Sequence, residues 1–380
     1  MFGGGNIGRG FIGAVLAEAG YSISFADVNT ELLDKLNKLG CYTVHVRDTE
    51  CRDQLVDHVS GVNSTTEDVV REIANADLVT TAVGLTILPR IAGAVANGIK
   101  ARMESGCKVP LNIIACENAI RASSQLKKSV YEKMDEATAK YADEYIGFPD
   151  GAVDRIVPPV ANDAEHPLDV TVENFYEWSV ERCGFKGEIP DIPAMHIVED
   201  IMAYLERKLF TLNTGHCITA YLGFIKGYQT IDQAISDENI YKIVRGAMIE
   251  SGKGLIEKHG FNPDTHWAYM ESIIERYKNP YLKDELARIG REPNRKLAYT
   301  DRLVAPTLNS HSYGIPVDNL IKGIAAALHF DCKEDAQSQL LQEKIRELGI
   351  VDATKEITGI TDIDLLEKIQ TAYKTIKNEL

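Results

Sequence analysis

The alternation of apolar and polar positions changes character once along the chain. Residues 21–26 place apolar and serine positions in alternation and read as a strand ending at Asp27, while 77–84 and 110–116 are nearly continuous apolar runs, the pattern of strands buried on both faces. Helical spacing separates them: Ile12, Val15, Leu16 and Ala19 form a stripe that stops at Gly20, and another helical stretch begins at Ile87. Such alternation predicts an α/β sheet of mostly parallel strands. From about Pro193 the strand pattern disappears, and amphipathic stretches at 198–209, 213–222, 240–259, 267–276, 320–328 and 336–348 predict a mostly helical second domain. With Pro190 and Pro193 as punctuation, the expected domains are 1–190 and 191–380.

Gly3, Gly5 and Gly8 fit the spacing G-x-G-x-x-G and open the first helical stripe. The first glycine permits a tight turn, the second lets backbone approach a pyrophosphate, and the third lets helix and strand pack closely. Free N–H groups of Gly5, Asn6 and Ile7 then face the phosphate at the helix start. Asp27, 19 residues beyond Gly8, is placed to accept from a ribose 2′-hydroxyl and would repel a 2′-phosphate, so NAD is expected rather than NADP. A Rossmann-type doubly wound sheet follows. Ligands lie at the carboxyl ends of its strands, which points to Thr81, Gly84, Glu117 and Asn118. Only Met1 and Phe2 precede the fingerprint, so its first strand is very short or its opening residues lie outside this sequence. Asp154 and Arg155 read either as a buried ion pair holding a crossing strand or as part of the cofactor floor.

Composition narrows the ligand. With 41 basic and 56 acidic residues the formal charge is −15, a field that repels nucleic acid and anionic membranes. Seven scattered cysteines without a CxxC pair fit a reduced, cytoplasmic chain with no disulfide frame and no metal site. No apolar run is long enough to cross a bilayer. An anionic small molecule therefore needs a local basic cluster, and residues 288–302 provide one: Arg288, Arg291, Arg295, Lys296 and Arg302 against Glu292 and Asp301, five cations minus two acids. Gly290 and Pro293 predict a turn there, which reads as a phosphate clamp or as a solvated charged loop. In a helical 208–216 segment, Lys208, position 212 and His216 share a face, with Asn213 one step around. A buried Lys is a base for a carbinol proton and an amide donates to the developing alkoxide. Viewed alone, the segment also reads as a solvated Lys, a capping Asn and a core His.

Segments 6–13 (NIGRGFIG), 25–29 (FADVN), 77–84 (DLVTTAVG), 111–118 (LNIIACEN), 152–159 (AVDRIVPP), 207–216 (RKLFTLNTGH), 279–284 (NPYLKD) and 295–297 (RKL) resemble, in order, the polyol-specific long-chain dehydrogenases, and among them the mannitol 1-phosphate branch. That resemblance implies NAD-dependent, metal-independent interconversion of D-mannitol 1-phosphate and D-fructose 6-phosphate bound between the domains. It implies Lys208 as the base, Asn118 and Asn213 as oxyanion donors, His216 as a contact to a substrate hydroxyl, and Arg288 and Lys296 as substrate contacts. Arg291, Arg295 and Arg302 are assigned to the phosphate from charge alone. Longer family members carry a Glu three residues before the Lys, where this chain has Leu205. The alternatives are a hexuronate reductase of the same superfamily or a nicotinamide-binding sensor without turnover. A monomer or weak homo-oligomer is expected, with no nucleic-acid or membrane partner.

Overall fold

The computed structural model describes residues 1–48, 51–157 and 165–380, which form two compact units, Met1–Tyr204 and Leu205–Leu380. In the first, strands β1 (Ile23–Asp27), β2 (Tyr42–Val46), β3 (Arg52–Val56), β4 (Val59–Asn63), β5 (Leu78–Thr81), β6 (Leu111–Ala115) and β7 (Ile146–Gly147) are followed by β8 (Gly151–Asp154), β9 (Val170–Val172), β10 (Glu177–Glu181) and β11 (Met195–Val198). Parallel pairing joins β1 to β4, β5 to β6 and β6 to β7. Phe2 bridges Ala26 on one side and Thr81 on the other, also in parallel. Counting Phe2 as the first strand, the sheet runs 3-2-1-4-5-6, the order of a doubly wound dinucleotide fold. β6 is buried at every position, as its unbroken apolar run requires.

Phe2 is a strand in hydrogen bonding though not in length. Its N–H donates to Thr80 O at 2.8 Å, its carbonyl accepts from Ala82 N–H at 2.8 Å, and Gly3 N–H reaches Ala26 O at 2.9 Å. Below it a cavity of about 220 Å³, lined among others by Met1, Ile23, Ser24, Ile73, Val79 and Thr80, separates β1 from β5. Phe2 therefore sets the spacing at the carboxyl end of the sheet, where the glycine turn begins.

Two small sheets accompany this one: β2 pairs antiparallel with β3 and parallel with β9, and β10 pairs antiparallel with β8 and parallel with β11. Asp154 ends β8, and Pro158 and Pro159 lie outside the described residues. The Arg155 guanidinium is buried and donates to Glu173 O and Gly10 O, so it ties a crossing segment to the glycine-loop helix.

The second unit is helical. Thr214–Lys226 is its centre, apolar around most of its circumference and packed by Glu238–His259, Leu286–Gly290 and Asp318–Leu328. Glycines allow that closeness: a Cβ on Gly215 would lie 2.7 Å from Met248 Sδ and 2.9 Å from Tyr277 Oη. Two local expectations are corrected. The stretch expected at 336–348 continues to Thr358, broken only at Gly349 where φ is 76°. Where a turn was expected around 290–293, two short helices, Leu286–Gly290 and Pro293–Lys296, flank a turn confined to Arg291 and Glu292. Among the described residues no helix is long and apolar enough to cross a membrane.

Helix Leu88–Glu104 covers one face of the parallel sheet and presses Gly98 against helix Glu67–Asn75, where a Cβ would meet Ile73 Cβ at 2.5 Å. Gly98→Ala is expected to cost roughly 1–3 kcal/mol of overpacking, read as a lower denaturation midpoint. An unchanged midpoint would contradict this packing.

Candidate active site

The glycine turn is shaped by contacts no side chain tolerates. Gly3 has φ 91°, and a Cβ there would lie 2.4 Å from Ala82 O, while one on Gly8 would lie 2.0 Å from Gly3 O. A Cβ on Gly5 would meet nothing within 4 Å, and Gly5, Asn6 and Ile7 are exposed, so the middle of the turn is open to a ligand while its ends are packed. Asp27 holds the turn: Oδ2 accepts from Gly4 N–H at 2.8 Å and Oδ1 from Val28 N–H at 2.8 Å and Asn29 N–H at 3.0 Å. Carboxylate oxygens carry further lone pairs, so ribose recognition remains chemically open. This arrangement fits the pyrophosphate and ribose of a dinucleotide.

Opposite the glycine turn, Glu117 is buried and works as a staple. Its Oε1 accepts from Thr81 Oγ1 at 2.7 Å and Val83 N–H at 2.9 Å, and its Oε2 accepts from Gly84 N–H at 2.8 Å. The loop after β5 thus takes its shape from a carboxylate after β6. Asn118, next in sequence, is exposed at the same strand end.

In the second unit the decisive feature is a change of helical pitch. Ile201–Lys208 runs directly into a π-turn, Leu209–Asn213, with Thr214 N–H bonded to Leu209 O, and the α-helix resumes at Thr214. A π-turn closes its ring at i+5, so the phase downstream slips by about one residue, ~100°. Five α-helical steps would leave Asn213 ~140° from Lys208; the slip reduces that to ~40°. Eight steps to His216, ~800° in a regular helix, become ~700°, within ~20° of a whole number of turns. Lys208, Asn213 and His216 therefore share one face, and Leu212, expected there, is buried instead.

Widening the turn weakens its own hydrogen bonds, and hydroxyls capture the carbonyls. Thr214 Oγ1 lies 3.0 Å from Leu209 O and 2.7 Å from Arg302 O, with one hydrogen for the two, while Ser251 Oγ donates to Phe210 O at 2.7 Å and Tyr277 Oη to Leu212 O at 2.5 Å. The glycine-loop helix repeats the device: its π-turn Gly8–Gly13 gives Arg9 O to Tyr42 Oη at 2.8 Å and Gly10 O to Arg155 at 3.0 Å.

His216 stacks on Tyr277, with centroids 5.3 Å apart and planes 10° from parallel, and its Nε2 lies 3.1 Å from Asp284 Oδ2. Asp284 also pairs with Arg288. Burial would raise the Asp284 carboxyl, but His216 and Arg288 hold it below the ordinary Asp value. The basic segment proves largely self-compensated. Arg295 pairs with Glu292 and Asp301, Arg302 pairs with Asp301, and the buried Lys296 ammonium donates to Ile289 O and Arg291 O. Arg291 is exposed, with no carboxylate partner among the described residues. Burial pushes the Lys296 ammonium down to about 8. Asn118 belongs to the other unit. Asp284 and the hydroxyls were missed, for they lie in segments whose pattern signals only helix or turn. Among the described residues no group of His, Cys, Asp or Glu is arranged as a metal site.

A dinucleotide-type turn in one unit and a Lys, Asn, His face in the other define an oxidoreductase of two-domain architecture. Family models agree: residues 1–194 match the mannitol dehydrogenase Rossmann domain and 200–377 the mannitol dehydrogenase C-terminal domain. The chain belongs to the mannitol dehydrogenase family. Among solved structures it is similar to a D-sorbitol dehydrogenase in substrate-free form, with TM-score 0.84 and 17% identity over 100% of this chain and 93% of that one. It is also similar to Pseudomonas fluorescens mannitol 2-dehydrogenase, solved with NAD and D-mannitol, with TM-score 0.70 and 15% identity over 99% and 91%. At such identities the likeness is one of fold.

Tyr277→Phe keeps the stacked ring but strands Leu212 O, and Ser251→Ala strands Phe210 O; each is expected to cost about 1–3 kcal/mol and to lower turnover. Denaturation together with steady-state kinetics checks this, and wild-type values for both variants would show that the π-turn needs no clamp. Lys296 gives a pH signature. Between about 8 and the ordinary 10.5 the unfolded chain holds a proton there that the folded chain releases, so stability rises with pH across that window. Lys296→Met is expected to flatten the rise; equal pH slopes for variant and wild type would refute it.

Proposed function

We propose that this chain uses NAD to interconvert D-mannitol 1-phosphate and D-fructose 6-phosphate, as a mannitol-1-phosphate 5-dehydrogenase does. The observation that carries the proposal is the π-turn that puts Lys208, Asn213 and His216 on one helix face. In the oxidation direction neutral Lys208 accepts the proton of the reacting secondary hydroxyl. Asn213 and Asn118 donate to the oxygen as it becomes an alkoxide and then a ketone. Such donors matter most where charge develops, because they stabilise the transition state more than the bound alcohol. NAD, when bound, takes the hydride leaving the carbinol carbon. His216 holds a neighbouring substrate hydroxyl. Gly3, Gly5, Asn6, Ile7, Gly8 and Asp27 carry the cofactor's pyrophosphate and ribose, with Thr81 and Gly84 on the floor that Glu117 shapes.

Charge bookkeeping supports the phosphate. Arg288, Arg291, Arg295, Lys296 and Arg302 contribute five positive charges, and the acids they contact, Asp284, Glu292 and Asp301, contribute three negative ones. The surplus of two matches a phosphate dianion, with Arg291 the cation least engaged by protein acids. A keto-hexuronate, carrying a single carboxylate charge, leaves part of it uncompensated.

NADH oxidation with fructose 6-phosphate, unphosphorylated fructose and a keto-hexuronate tests the proposal. Fructose 6-phosphate is expected to be turned over with a strong advantage in kcat/KM. Lys208→Ala is expected to lose about 10²–10⁴-fold in turnover while binding NADH normally. Near-normal turnover of that variant overturns the role of Lys208, preference for the keto-hexuronate overturns the substrate, and absence of turnover with any of the three favours a sensor.

A further inference from the structure

Asp284 takes no direct part in the proposed chemistry, yet it touches two residues that do. It is buried, and its two oxygens divide between Nε2 of His216 and the guanidinium of Arg288. Its main chain is fixed as well: Asp284 O accepts from Ile231 N–H at 2.9 Å, Leu286 N–H donates to Gln229 O at 2.9 Å, and Thr230 bridges Glu285. The carboxylate therefore has little freedom to follow His216; the imidazole must adapt to it.

That constraint decides where the imidazole carries its proton. The Nε2 atom is fully buried and sits 3.1 Å from Asp284 Oδ2, a close electrostatic contact without the alignment of a hydrogen bond. An unprotonated Nε2 at that distance would set its lone pair against an ionised carboxylate, so Nε2 carries the hydrogen. A ring carrying a single proton therefore holds it on Nε2 and leaves Nδ1 as the acceptor. Tyr277, stacked on the ring, holds its plane. The residual 14% exposure of the side chain lies on atoms other than Nε2.

We propose that Asp284 is a positioning residue that fixes His216 as the Nε2–H tautomer, so that His216 meets the substrate through Nδ1 as an acceptor and selects a hydroxyl over a carbonyl or carboxylate oxygen at that position. The selectivity rests on the function proposed above, because it requires His216 to touch the substrate; the tautomer does not. A hydroxyl donates to Nδ1, whereas a carbonyl or carboxylate oxygen meets it lone pair to lone pair. Arg288, held on the other carboxylate oxygen, keeps Asp284 ionised and so keeps the tautomer in place.

Nitrogen NMR of the ¹⁵N-histidine-labelled full chain, with His216 assigned by its loss in His216→Asn, reads the tautomer directly. A proton on Nε2 with a bare Nδ1 supports the proposal, and a proton on Nδ1, alone or together with one on Nε2, overturns it, with no assumption about substrate. Asp284→Asn is expected to mix the tautomers and raise KM for fructose 6-phosphate about tenfold, the worth of the one hydrogen bond from a substrate hydroxyl to Nδ1, at unchanged NADH affinity. In the His216→Ala background the same substitution is expected to add nothing further. An unchanged KM in Asp284→Asn, or a full additional loss in the double variant, overturns the selective role. Should Asp284→Asn fail to fold, the wild-type spectrum still decides. Should the wild type ignore fructose 6-phosphate, the function proposed above fails while the tautomer assignment stands or falls on the spectrum.

Discussion

Both helices that carry candidate chemistry contain a π-turn, and a π-turn persists only when something else holds the carbonyls it exposes. That requirement orders the surrounding structure. In the second unit Thr214 lies on the distorted helix itself, while the hydroxyls of Ser251 and Tyr277 come from two other helices, so two packing interfaces converge on the turn. In the first unit Tyr42 and Arg155, from a strand and from the segment after β8, do the same for the turn after the glycine loop. A regular helix would be cheaper locally. It would also put Asn213 on the far side of Lys208, so the proposed function depends on a distortion at this place.

Carboxylates form a second layer of control. Asp27, Glu117 and Asp284 each sit at the end of an element and each fixes a loop or a side chain rather than reaching into solvent. Asp27 and Glu117 accept backbone N–H groups from glycine turns, where no side chain is present to do the anchoring. A buried carboxylate satisfied by several donors is rigid, because moving any one donor leaves a charge partly uncompensated. The excess of acids in the composition therefore includes charges that serve as internal fasteners.

Much of the first unit was legible from sequence because its signals are local. Continuous apolar runs mark β5 and β6, and glycines at fixed spacing mark the turn, since only glycine fits next to Ala82 O and Gly3 O. Lys208, Asn213 and His216 were also legible as residue types, but their geometry was not. Periodicity at 3.6 residues assumes an unbroken α-helix, and nothing in RKLFTLNTGH announces that the pitch changes at Leu209. Asp284 was invisible for a different reason: its importance comes from a contact across 68 positions of chain. The basic segment was counted as five cations against Glu292 and Asp301, and the acid that the count lacked is Asp284, which lies just before the segment and pairs with Arg288. Helix Ile363–Glu379 lies beyond the stretches expected to be helical, although Asp362 caps it and Leu365, Leu366, Ile369, Ala372 and Ile376 are buried at helical spacing.

Pairing changes what the local charge does. A cluster of unpaired arginines would attract any anion and would repel itself while empty. Here Arg288, Arg295 and Arg302 already lean on Asp284, Glu292 and Asp301, so the guanidiniums are held in place before a ligand arrives and little side-chain entropy remains to be lost. An arriving dianion then adds to networks that are already ordered. Because Asp284 also faces His216, one buried carboxylate touches both the basic cluster and the imidazole, and on the proposed function it joins anion recognition to hydroxyl recognition.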